Sequence, residues 1–87
     1  MRIAPNVMIQ ELAGESVILD LKSERYLGLD EVGTRMWRVL LESPSIQAAH
    51  EILLAEYEVT QEQLESDLSG FVDRLLEMGL IVTDVDR

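Results

Sequence analysis

Residues 16–41 read SVILDLKSERYLGLDEVGTRMWRVLL, and this stretch decides the fold. Apolar residues alternate from Val17 to Leu21, and the polar residues 22–24 separate them from a second short run, Arg25–Leu29. Alternation of this kind is typical of strands with one buried face. Asp30 then suits a helix N-cap, and apolar residues continue at helical spacing to about Glu42. The stretch therefore predicts a β-hairpin that leads directly into a helix.

The residues before this stretch predict one more strand. Val7–Leu12 is rich in branched side chains and ends before a turn at Gly14. The connections between the three strands are too short for crossovers, so the strands should form an antiparallel meander. A sheet of three strands needs helices against its apolar face to be stable.

The residues after it supply two more helices. Ser43 and Pro44 suit the cap and first position of a second helix, and Thr60 with Gln63 forms a capping box for a third. Gly79 suits the end of the third helix, whose apolar arc of about 160° is wide enough to touch two parts of the molecule. A short extended segment, residues 80–82, follows. The predicted fold class is α+β, a single domain over residues 1–87 that resembles a winged helix-turn-helix with a three-stranded antiparallel sheet placed before three helices.

Four side chains have predicted environments. Val32, Trp37 and Leu68 fall on apolar helix faces and should lie in the core. His50 falls among polar positions and should be solvated, since the sequence has no second histidine and no cysteine with which it could bind a metal.

Composition excludes several classes of protein. The 87 residues carry a net charge of −10, which repels phosphates and disfavours nucleic acids and anionic membranes as partners. No apolar run is long enough to cross a bilayer, and the N-terminus lacks a signal-peptide core, so a cytoplasmic protein is expected. No catalytic set and no glycine-rich phosphate loop can be found, so we expect no enzyme, no cofactor and no metal.

The predicted third strand, Arg25–Leu29, suggests a binding module instead. It ends the meander, so one row of its backbone groups should lack strand partners. Tyr26 and Leu27 do not protect such an edge, and Gly28 permits another backbone to approach closely. An extended peptide could add there as a fourth strand, with apolar pockets and one charged contact supplied by the third helix. The helix residues expected in these roles are Phe71, Leu75 and Met78 for the pockets and Asp67 for the charge.

Two points about this edge stay open in the sequence. Residues 80–82 could pair with it and close it. Replacing Leu27 by proline should abolish peptide binding if its N–H faces the open edge, and should unfold the protein if that N–H bonds the second strand.

Several of these motifs resemble the PqqD family. The resemblance is carried by LDL at 19–21, RYLGLDEVG at 25–33 running into Met36 and Trp37, DLSGFVDRL at 67–75, and GLI at 79–81. Each motif is moderately specific, and their order and spacing cover nearly the whole chain. The chain is most similar to the stand-alone leader-binding proteins of lasso-peptide biosynthesis.

The resemblance implies a function and a set of partners. It implies a non-catalytic protein that binds the leader of a ribosomally made precursor peptide as an extended strand, and delivers it to a leader peptidase or another modifying enzyme. The alternative is a chaperone for a radical-SAM enzyme in pyrroloquinoline quinone synthesis, and a less favoured one is an acidic protein–protein adaptor. Carried onto this sequence, the peptide-binding residues are Arg25, Tyr26, Leu27, Gly28, Leu29, Asp67, Phe71, Arg74, Leu75 and Met78.

Overall fold

The computed structural model describes residues 2–82. The elements in chain order are β1 (Arg2–Ile3), β2 (Val7–Leu12), β3 (Glu15–Asp20), β4 (Arg25–Leu29), α1 (Glu31–Glu42), α2 (Ile46–Glu56), α3 (Gln61–Glu77) and β5 (Ile81–Val82). The predicted α+β class and the order of the three main strands and three helices are confirmed.

The main sheet is antiparallel in the order β2-β3-β4, with Ile9, Ile18 and Leu27 in one row across it. Between β2 and β3, Ala13 and Gly14 both have positive φ values of 57° and 85°, the feature of the tight type I′ turn that suits the twist of paired strands. The turn before β4 is built differently. The Asp20 carboxylate accepts hydrogen bonds from the Lys22 backbone N–H (3.0 Å) and the Ser23 hydroxyl (2.9 Å).

The helices begin at side-chain caps. Asp30 accepts from the Gly33 backbone N–H (2.8 Å) at the start of α1, and Thr60 accepts from the Gln63 N–H (3.0 Å) at the start of α3, so both predicted caps are confirmed. The capping box predicted at Thr60 is only half formed, because the Gln63 side chain donates forward to Asp67 (2.9 Å). The predicted start of α2 is wrong by two residues. Ser45, not Ser43, caps this helix by accepting from the Ala48 N–H (3.0 Å), because the Ser43 hydroxyl instead donates to the Val39 carbonyl (2.6 Å) at the end of α1.

The second, smaller sheet joins the two ends of the described chain. After α3, Gly79 takes a φ of 71° and the Leu80 N–H donates to the Leu75 carbonyl (3.0 Å), which turns the backbone back in a Schellman motif. β5 then pairs antiparallel with β1, Ile3 opposite Ile81. The alternative in which residues 80–82 close the edge of β4 is therefore wrong. β1 was not predicted, since a strand of two residues has no readable period.

The core lies between the inner face of the main sheet and the helices. α1 packs on β3, β4 and α2, whereas α2 packs on α3 and α3 on β5. Trp37 and Leu68 are buried as predicted. Val32 is 49% exposed, contrary to prediction, because Thr34 faces the sheet instead, with its hydroxyl 2.7 Å from that of Ser16.

His50 also differs from its prediction. It is half-buried, and its Nε2 lies 3.3 Å from the Gln61 carbonyl oxygen, so it links α2 to the start of α3. Within residues 2–82, no helix has the length and apolar character that crossing a membrane requires.

Candidate functional site at the edge of strand β4

Alternate residues of β4 direct their backbone groups to opposite sides. The Leu21 N–H donates to the Asn6 carbonyl (2.8 Å) on the β2 side, and the Asp20 carbonyl accepts from the Glu24 N–H (2.7 Å) on the β4 side. Because direction alternates along a strand, Ile18 also faces β4, where it is paired with Leu27. Leu27 and Leu29 therefore direct their N–H and C=O groups to β3, as Arg25 does its C=O, whereas the Arg25 N–H donates to the Ser23 hydroxyl (3.4 Å).

Tyr26 and Gly28 direct theirs to the outside. No other strand within residues 2–82 pairs with this outer edge. A Cβ added at Gly28 would meet no atom within 4 Å, so the outer face of the sheet is also open at this position. The unpaired row predicted from the sequence is present, and Tyr26 and Gly28 carry it.

A cleft of about 760 Å³ separates the first half of β4 from α3. Four of the predicted residues line it: Arg25 and Tyr26 from the strand, Arg74 and Met78 from the helix. The side chain of Tyr26 is 70% exposed, so most of its ring is free to contact a ligand. The strand edge and the helix wall thus face each other across a space that is open in this structure.

The other predicted residues do not line this cleft. Leu75 and Leu29 are buried in the core, so the prediction that Leu75 offers a free pocket needs correction. Leu27 and Phe71 are half-buried and pack against the core. Asp67 is exposed, and its carboxylate accepts a hydrogen bond from the Gln63 side-chain amide (2.9 Å), one turn before it on α3.

Four residues of the cleft were missed: Glu24, Gly70, Asp73 and Glu77. Gly70, Arg74 and Glu77 recur at helical spacing, so they form a stripe on α3 beside its apolar arc. Of this stripe only Arg74 was predicted, because the pockets expected on α3 were apolar.

The arginines of the cleft differ from those of α1. Arg35 is paired with Glu56, and Arg38 with Glu11. Within residues 2–82, Arg25 and Arg74 make no ion pair. The cleft therefore presents two unpaired guanidinium groups beside three carboxylates, and both signs of charge are available to a ligand.

The outer face of the main sheet is apolar and adjoins the same edge. Met8, Val17 and Tyr26 are exposed there, and together with Gln10 and Leu19 they surround a hollow of about 260 Å³. None of these five side chains is charged, in a sequence of which 28% is charged. An uncharged exposed patch of this kind is typical of a contact surface for another protein.

Together the fold and the site define a class: a small α+β domain with an open strand edge that faces a helix across a cleft. This is the geometry that strand-addition modules use to hold peptides. The chain belongs to the PqqD family, since the family described as "Coenzyme PQQ synthesis protein D (PqqD)" matches residues 15–81. The resemblance stated from the sequence motifs is confirmed.

Two solved structures are similar over nearly their whole length. "TbiB1 in Complex with the TbiA(beta) Leader Peptide" is 32% identical with a TM-score of 0.87, and the match covers 99% of this chain and 100% of that one. "Lasso peptide synthetase B1 complexed with the leader peptide" is 27% identical with a TM-score of 0.84, over 94% and 96% of the two chains. No curated protein matches the sequence.

Proposed function

We propose that this protein binds the leader segment of a ribosomally synthesised precursor peptide and delivers it to a processing enzyme, the leader peptidase of a lasso-peptide pathway. The leader adds to β4 as a fourth strand. It bonds the outward backbone groups of Tyr26 and Gly28, and side chains on one of its faces enter the cleft beside α3.

One observation carries the proposal: the open edge of β4 lies directly beside a cleft. An unpaired edge alone is a hazard for aggregation. An edge with a cleft on one side can select a peptide, because main-chain bonds supply affinity and the cleft tests every second side chain.

The lasso pathway is favoured over the quinone pathway by the structural likeness. Both similar structures are leader-peptide complexes by their own descriptions, one of them of a lasso peptide synthetase B1, and they match almost the full chain. The quinone pathway remains the second candidate, because the family takes its name from that pathway. A precursor encoded beside a small peptidase would favour the first, and a radical-SAM neighbour the second.

Delivery requires a second contact, and the outer face of the sheet is the surface we assign to the enzyme. A leader added at β4 would extend the sheet to four strands, so its outward side chains would continue the apolar patch of Met8, Val17 and Tyr26. Replacing Val17, 43% exposed, by Asp should leave leader binding intact and slow leader removal.

Gly70 offers a direct test of the cleft. It lies on α3 in the cleft wall, and an added Cβ would meet no atom within 4 Å. Gly70→Leu should fill the cleft while raising the free energy of unfolding by about 0.5–1 kcal/mol, since leucine is the better helix former. Calorimetric titration with the candidate leader should show an affinity lowered about tenfold or more. A loss of this size corresponds to the binding free energy of one buried apolar side chain of the leader.

Gly70→Ala is the matched control. It brings a similar gain in helix propensity but adds one methyl group, so its affinity should stay closer to that of the unmodified protein. If Gly70→Leu binds the leader as tightly as Gly70→Ala, the leader does not occupy this cleft and the proposal fails.

A further inference from the structure

A second groove lies on the other side of α3, between this helix and α2. Its volume is about 670 Å³. Leu68 and Val72 are buried and form its floor, whereas Ile46 and Leu76 are 44% and 43% exposed and form its walls. Ile46 and Leu76 are large apolar side chains that the protein's own fold leaves uncovered.

The rim of this groove is acidic. Glu65 and Asp73 lie on it, and no Lys or Arg lines it. The sequence contains no Lys or Arg between Arg38 and Arg74. Eight acidic residues lie in that interval: Glu42, Glu51, Glu56, Glu58, Glu62, Glu65, Asp67 and Asp73. Only Glu56 among them is ion-paired within the described part of the chain.

We propose that the α2–α3 groove is a docking site for a basic amphipathic helix of a partner protein. The apolar floor and walls would receive the apolar face of that helix, as in other helix-in-groove complexes. Lysine or arginine side chains flanking that face would meet Glu65 and Asp73.

The net charge of the chain favours a basic helix in this groove over two other possible occupants. A second copy would bring another net charge of −10 to the same acidic rim, so self-association here is opposed. Nucleic acids and anionic lipids are repelled for the same reason. A cationic segment is attracted by the rim and anchored by the floor.

The groove is distinct from the leader cleft, although both use α3. Leu68, Val72 and Leu76 face the groove, whereas Gly70, Arg74 and Met78 face the cleft. Asp73 alone borders both on this helix. The sequence predicted that the apolar arc of α3 is wide enough for two contacts. Most of this arc packs on the core, and Leu76 at its edge stays exposed and available to a partner.

The test uses a synthetic helical peptide of about four turns, with leucines on one face and lysines on the other. Titrated into the ¹⁵N-labelled protein at about 0.15 M salt, where long-range charge effects are screened, it should shift the amide signals of residues 46–50 and 65–76. A peptide with the same leucines and with glutamates in place of lysines should not bind. Shifts confined to β2–β4 would overturn the proposal.

Two variants distinguish binding of the lysine peptide in the groove from its nonspecific electrostatic attraction to an acidic protein. Leu76→Ser should weaken binding of the lysine peptide about tenfold. Leu12→Ser, at a leucine that is 83% exposed on β2, should leave it unchanged. Equal affinities for the two variants would refute the groove as the site.

Two further readouts keep this test independent of the leader proposal. Leader affinity should be unaltered in Leu76→Ser. If this variant loses binding of the lysine peptide but keeps binding of the leader, the result bears on the groove and not on the leader cleft. Sedimentation should show a monomer for the unmodified protein. A dimer that Leu76→Ser dissociates would mean that a second copy occupies the groove and would overturn the proposal.

Discussion

The two edges of the main sheet have opposite characters. On β2, Glu11 has an outward-facing backbone by the same alternation, and its carboxylate is ion-paired with Arg38 of α1. A charged side chain tied across an edge is a common protection against strand addition. On β4, the outward residues are Tyr26 and Gly28, which carry no charge, and a cleft lies alongside. The difference indicates that one edge is closed to partners and the other is suited to receive a strand.

The inward row of β4 gives the largest expected effect. Leu27→Pro removes an N–H that bonds Ile18 within the sheet, so the protein should lose its cooperative unfolding transition. Circular dichroism with thermal melting measures this. A folded Leu27→Pro protein would show that the assignment of inward and outward rows is reversed.

The core under the edge gives the next largest effect. Leu68 is 1% exposed, so Leu68→Ala should lower the free energy of unfolding by roughly 2–5 kcal/mol. Denaturant titration measures the loss. The folded fraction should still bind the leader normally, because Leu68 lies outside the cleft, and a selective binding defect would contradict this.

The outward row gives a binding effect with little change in stability. Gly28→Pro removes an N–H that faces solvent and places the proline ring where the leader would add, so leader affinity should fall about tenfold or more. The matched control is Glu11→Pro, which alters the outward row of β2. If both variants bind the leader equally, the two edges are not functionally different.

The smallest effect concerns the turn before β4. The Ser23 hydroxyl, and then the Lys22 backbone N–H, lower the pKa of the exposed Asp20 carboxyl below its usual value. A lowered folded-state pKa stabilises the fold above the unfolded-state pKa, and this contribution is lost as pH falls through the folded-state value. Asp20→Asn should therefore reduce the acid dependence of stability slightly, as measured by melting between about pH 2 and 6. An unchanged pH profile would mean that this turn does not contribute.

The sequence predicted the elements whose signals are local. The alternation in residues 17–21, the Asp30 and Thr60 caps and Gly79 each act within a few residues, so strands, helices and the open edge could be predicted directly. The buried face of β3 was predicted wrongly, because Ser16 and Ile18 face the core whereas Val17 is 43% exposed. β1 could not be predicted because it forms only by pairing with β5, which is distant in sequence. The start of α2 was ambiguous because Ser43 and Ser45 are equally good caps, and only the hydrogen bond from the Ser43 hydroxyl to the Val39 carbonyl leaves Ser45 as the cap.

The site was predicted less completely, because it depends on how α3 lies relative to β4. The apolar arc of α3 did not show which side faces the core, so Leu75 was assigned to the cleft when it is buried. Gly70 and Glu77 were missed because Gly70 contributes free space, and Glu77 a charge, to the boundary between α3 and β4. Such a boundary exists only once the two elements are placed together.

Amide hydrogen exchange of Tyr26, Leu27 and Gly28, with and without the leader, tests the central claim most directly. In the free protein, the amide of Leu27 should be protected, whereas those of Tyr26 and Gly28 should exchange rapidly. Saturation with the leader should slow exchange at Tyr26 and Gly28 well beyond the change at Glu11 on the opposite edge. Fast exchange at Tyr26 and Gly28 in the saturated complex would contradict strand addition at β4.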